Sequence, residues 1–264
     1  GYASCPLGQL HYRLLGDPRD VHTPLVLLHQ TPFGLFEWVD IQPRLAAGGR
    51  RIVAPDNPGF GLSDPPPAEV TVPQLADNLV GLFDALNIER AVLAGHHTGA
   101  GLAAAFAARH PARVAALVLQ GCPLFDADER RERLARAAPS FEPQPDGSHL
   151  AAMFRAIHAI PKGRRDALAT ATWATLGSWL AGPAPPTYRA VFAHDMRPDV
   201  LAISAPTLVL GDRGDVLHAK DLQVAALRPD FELEEFSADG SFALMLEPLR
   251  WAARVEAFLQ RSAF

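Results

Sequence analysis

The sequence predicts an α/β fold with a mostly parallel, doubly wound sheet interrupted by one helical insertion, and three observations carry that expectation. Short apolar runs alternate with segments whose apolar residues recur at helical spacing, as in strand-helix-strand units. The apolar runs are continuous rather than alternating, which suits parallel strands covered on both faces. After Cys122 nothing strand-like occurs until Ala205, so the helices in between read as an insertion between two strands.

In chain order, LHYRLLG, PLVLLH, RRIVAPD, AVLAG and VAALVLQG read as strands. FEWVDIQPRLAA, TVPQLADNLVGLFDALN and TGAGLAAAFAARH read as the helices between them. DADERRERLARAAPS, HLAAMFRAIHAIP and RRDALATATWATLGSWLAG supply the helical insertion. APTLVLGD and FELEEFSA resume the strands, and PLRWAARVEAFLQR closes as an amphipathic helix. The expected organisation is a core over residues 1–122, an insertion over 123–199 and the rest of the core over 200–264.

Composition narrows the function classes. At 264 residues and 48% hydrophobic content the chain can bury one large core. A net charge of -5, with Lys and Arg scattered, gives no footprint for nucleic acid or anionic membrane, so a small-molecule substrate is the expected partner and a homodimer is allowed. Cys5 and Cys122 stand outside any metal or disulfide spacing, which fits a cytoplasmic protein. No apolar run reaches the roughly 18 residues of a membrane span. Gly1-Tyr2-Ala3-Ser4 does not open a signal peptide, and a first residue other than Met suggests a trimmed start.

The segment AVLAGHHTGAGLAAAFAARHP joins a buried strand to a helix through Gly95-His96-His97-Thr98-Gly99, the spacing of a G-x-S-x-G nucleophile elbow with histidine at the nucleophile position. His29-Gln30 closes the strand PLVLLH. Asp56-Asn57-Pro58-Gly59-Phe60-Gly61-Leu62-Ser63-Asp64 follows the strand in RRIVAPD, APTLVLGDRGD forms a later strand and acid turn, and Gly240-Ser241-Phe242 precedes Glu247-Pro248. In this order the chain resembles the α/β-hydrolase superfamily over essentially its whole length. The resemblance implies an α/β-hydrolase fold with a helical cap and a pocket between core and cap. Two positions depart from the family: His97 stands where it has its nucleophilic Ser, and Ser241 stands where it has its catalytic His.

In a Ser-His-acid triad the imidazole takes the serine proton and the acid orients the ring. Here the two residue types exchange places, so His97, Ser241 and an acid are expected around one pocket. Asp215 is the preferred acid and Asp212, in the same turn, the alternative. An imidazole in the ordinary histidine range, ~6.5, is available as a base near neutrality. Ser241 is read first as a hydrogen-bond partner or water positioner, with a relocated nucleophile as the variant. The oxyanion donors implied by the resemblance are the amide of Thr98 and that of Gln30 or Thr31. His96 is read as packed beneath the turn and His29 as support for the loop. Trp173 and Trp179 are read as packing, and ADERRERLARA as a solvated helical face.

The expected function is a cofactor-independent hydrolase, or related lyase, acting on a small carbonyl or ester-type substrate, with His97 as general base and no metal required. The alternatives are a ligand-binding protein that has lost turnover and a hydrolase with Ser241 as relocated nucleophile.

Overall fold

The computed structural model describes residues 1–136, 141–159, 167–236 and 243–262. Its eight strands are β1 (Tyr2–Cys5), β2 (Gly8–Leu15), β3 (Leu25–Leu28), β4 (Ile52–Pro55), β5 (Ala91–His96), β6 (Val114–Gln120), β7 (Thr207–Asp212) and β8 (Glu232–Phe236). They form one sheet in the order β1-β2-β4-β3-β5-β6-β7-β8. The pairs β1/β2 and β2/β4 are antiparallel and the remaining pairs parallel.

The central strands are buried along their whole length, which explains their unbroken apolar character. One face is covered by α2 (Val72–Ala85) and α3 (Thr98–Arg109), whose Leu75, Leu79, Phe83 and Phe106 meet Val26, Val53, Leu93 and Leu117. The other is covered by α1 (Ile41–Ala46) and α11 (Pro248–Arg261). On α11 the buried residues Trp251, Ala252, Val255, Phe258 and Leu259 recur at helical spacing and form a single stripe against the sheet. Helix α2 starts at a capping box: Thr71 accepts from the Gln74 amide while the Gln74 side chain accepts from the Thr71 amide.

Between β6 and β7 run α4 (Ala127–Ala135), α5 (Ser148–Ala159), α6 (Leu168–Ala181), α7 (Pro186–Ala193) and α8 (Arg197–Ala202). Val200 on α8 and Ile203 after it join the α2/α3 side of the core, so the chain is back against the sheet before β7 begins. α9 (His218–Leu227) and α10 (Ala243–Leu246) complete the helices. Strand β1 was not expected from YASC, whose Ser and Cys carry no strand signal. Its ladder to β2, Tyr2 opposite His11 through Cys5 opposite Gly8, supplies the order that local propensity does not. No helix among the described residues is long and apolar enough to cross a membrane.

Candidate active site

The end of β5 and the start of α3 are separated by His97 alone, with φ 47° and ψ −109°. A non-glycine residue there costs on the order of 1–3 kcal/mol and persists only if its surroundings hold it. The His97 amide donates to the Gln120 carbonyl at 2.9 Å, and its own carbonyl accepts from Gly101 at 3.1 Å. Close packing requires the elbow glycines: a Cβ at Gly99 would lie 1.9 Å from the Leu28 carbonyl oxygen.

The His97 ring reaches Asp215, which lies between β7 and α9. Nε2 is 2.9 and 2.8 Å from the two carboxylate oxygens. Asp215 also accepts from the Leu217 amide at 2.6 Å. Asp212, fully buried, accepts from the Gly214 amide and closes the acid turn. Of the two candidate acids, Asp215 is the one against the imidazole. With Nε2–H donating to it, the neutral ring keeps its lone pair on Nδ1.

Behind His97 lies a second imidazole. His96 is buried, its Nδ1 is 2.6 Å from Glu37 Oε1, and its Nε2 is 3.9 Å from Asp215 Oδ2 without a hydrogen-bond partner. Burial alone would depress the His96 pKa, but the charge and hydrogen bond of Glu37 and the charge of Asp215 raise it to about 10. Burial would likewise push the Asp215 carboxyl up, yet His96 and His97 hold it well below the usual carboxylate range. His96 is thus packed beneath the turn, as its position predicts, but it is also wired to a carboxylate that sequence reasoning missed. The one available signal for Glu37 was an acid inside the apolar run GLFEW.

Glu37 also corrects the expected role of Gln30. The Gln30 backbone amide donates to Glu37 Oε2 at 2.8 Å and its side chain to Oε1 at 2.9 Å, so Glu37 already engages both donors. Thr31 is placed against the elbow, its hydroxyl 2.9 Å from that of Thr98. His29 supports the loop: its Nε2 accepts from the Asn57 amide at 2.8 Å, and burial lowers its pKa towards the neutral form that this bond needs. Ser241 lies outside the described residues.

A cavity of about 770 Å³ is lined by His97 and Asp215 together with Thr31 and Phe33, His149, Met153 and Ile157 of α5, and Ser178 of α6. Its lining is predominantly apolar, as small-molecule sites are. Trp173 stacks on Phe36 at 4.4 Å and Trp179 lies 5.0 Å from the His149 ring, both as packing. Among the described residues, His96, His97 and Asp215 are also the group whose donor atoms could hold a metal ion, all within 4.8 Å of one another.

Comparison with known proteins agrees with this architecture. A family model described as alpha/beta hydrolase fold matches residues 23–159. A 2-hydroxymuconate semialdehyde hydrolase from Pseudomonas sp. (strain CF600) is 43% identical over 102 residues, 37% of this chain and 36% of that protein. Epoxide hydrolase B from Mycobacterium tuberculosis is 38% identical over 104 residues, 38% of this chain and 29% of that protein. The chain thus spans about a third of the length of the curated relatives it matches. The crystal structure of the enol-lactonase from Burkholderia xenovorans LB400 superposes with a TM-score of 0.79 at 23% identity, covering 98% of this chain and 100% of that one. With the family model covering just over half its length, the chain belongs to the alpha/beta-hydrolase family.

Proposed function

We propose that the protein is a cofactor-independent hydrolase of small carbonyl or ester-type substrates in which His97 replaces the nucleophilic serine and acts as general base. The contact between His97 Nε2 and Asp215 carries this reading, because it fixes the tautomer and leaves Nδ1 as the proton acceptor. Asp215 orients the ring and stabilises the imidazolium, the part an acid plays beside a triad histidine.

In this reading water is the nucleophile. Nδ1 takes one water proton as the oxygen bonds to the substrate carbonyl carbon, and the carbonyl π electrons move to oxygen. The resulting oxyanion is held by the amides of Thr98, at the start of α3, and Thr31. When the tetrahedral intermediate collapses, the bond to the leaving oxygen breaks and the imidazolium returns its proton to that oxygen. Residues 123–199 act as the cap over the cavity. Ser241 serves as a hydrogen-bond partner for the attacking water.

The names of the matched proteins, a 2-hydroxymuconate semialdehyde hydrolase and an enol-lactonase, support carbonyl-centred hydrolysis as the reaction class. The elbow's lack of Ser, Cys or Asp favours a second reading, a pocket that binds without turnover. Screening esters, lactones and thioesters with wild type and His97→Ala separates the two. The proposal expects a substrate that wild type hydrolyses and the variant does not, whereas inactivity of both across the panel favours the binder.

A further inference from the structure

We infer that His96, His97 and Asp215 form a divalent transition-metal site whose occupancy switches off the base at His97. The consequence for turnover rests on the base reading above; the site itself does not.

The geometry is that of a three-donor face. His97 Nε2 and His96 Nε2 lie 2.8 and 3.9 Å from Asp215 Oδ2, and all donor atoms fall within 4.8 Å of one another. A point equidistant from three atoms so spaced lies no closer than roughly 2.0–2.4 Å to each, an interval that overlaps the zinc–nitrogen and zinc–oxygen bond lengths of about 2.0–2.2 Å. His96 Nε2 supplies an independent observation. It is buried, its residue is 1% exposed, it has no hydrogen-bond partner, and it faces the same carboxylate oxygen.

Surroundings of the donors suit a bound ion. Glu37 accepts from His96 Nδ1 and is itself held by both donors of Gln30, a carboxylate–histidine pairing that orients a metal-bound imidazole. Glu37 and Asp215 place two carboxylates in the interior beside His96, and a divalent cation that displaces the His96 Nε2 proton leaves two neutral imidazoles and balances both carboxylates. His97 and Asp215 line the cavity, so further coordination positions would face it, and two imidazoles with one carboxylate suit Zn(II) or Co(II) better than Mg(II) or Ca(II). Coordination through Nε2 requires the ring proton on Nδ1, the atom that the hydrolytic reading uses as base. A bound ion and a base at His97 therefore exclude each other.

The test is Co(II) titration of chelator-treated protein, read by its visible absorbance bands, with Zn(II) as competitor and circular dichroism as the fold control. About one equivalent should bind to wild type, binding should be lost in Asp215→Asn, and Glu37→Gln should weaken it about 10- to 100-fold. Should either variant fail to fold, wild type still decides. Absence of stoichiometric Co(II) binding overturns the site, and so does binding that persists unchanged in folded Asp215→Asn, since the ion would then sit on other donors. Zn(II) should suppress His97-dependent turnover and chelator should restore it. Co(II) binding with metal-accelerated hydrolysis would leave the site standing and remove the base reading; turnover in chelator without Co(II) binding would do the reverse.

Discussion

The ring of His97 occupies the space that a side chain at Gly121 would fill: a Cβ there would lie 2.0 Å from His97 Cδ2 and 2.5 Å from Nε2. Gly121 has φ +63°, a conformation that glycine adopts without strain. The end of β6 is thus shaped to seat the imidazole that β5 delivers.

Gly121→Ala should therefore push the ring off Asp215 while leaving the sheet intact. Misplacing a reacting group by about 1 Å can cost about 100-fold, and a loss of that order in kcat is expected with an unchanged circular dichroism spectrum. Wild-type kcat in the folded variant would mean that the ring position does not matter.

Glu37→Gln should destabilise the fold by about 1–3 kcal/mol, measured by urea denaturation. Glu37 accepts at both oxygens, from Gln30 and from His96. A glutamine amide group would present N–H to one of those donors. An unchanged denaturation midpoint would show that this network carries no stability.

Asp221 predicts a pH dependence of stability. Its two carboxylate oxygens accept from the Gly121 and Cys122 amides, but burial outweighs those bonds and pushes its pKa up to about 7. A folded value above the unfolded ~3.9 means that the folded state holds the proton more tightly. This contribution is full below pH ~4 and is lost as pH rises through 7. The wild-type denaturation midpoint should fall over that window relative to Asp221→Asn, and parallel pH profiles would refute the assignment.

The elbow was legible in the sequence because its signal is local: glycines two residues either side of His97, after an apolar strand and before an alanine-rich helix. Asp215 was legible through the same family spacing, and its carboxylate is the one that lies against the His97 imidazole. Glu37 was not legible, because it meets His96 across 59 residues and neither partner's neighbourhood hints at the other. The fate of the Gln30 amide followed from that omission. Asp221 was missed for the same reason, since its partners lie 99 and 100 residues away.

Covalent labelling separates a water-activating base from a serine nucleophile. A serine-directed phosphonate should leave wild type unlabelled. The double variant His97→Ser with Ser241→His should take up label at residue 97, because the elbow and Asp215 would then serve a Ser-His-Asp set. A stoichiometric adduct on Ser241 of wild type, located by mass spectrometry, would make Ser241 the nucleophile.

The most direct measurement is kcat/KM of wild type and His97→Ala on a hydrolysed ester or lactone, in chelator, across pH. General-base catalysis is worth about 100- to 10,000-fold. The account predicts a loss of that size in the variant across the pH range. Equal turnover by folded His97→Ala at every pH would contradict it.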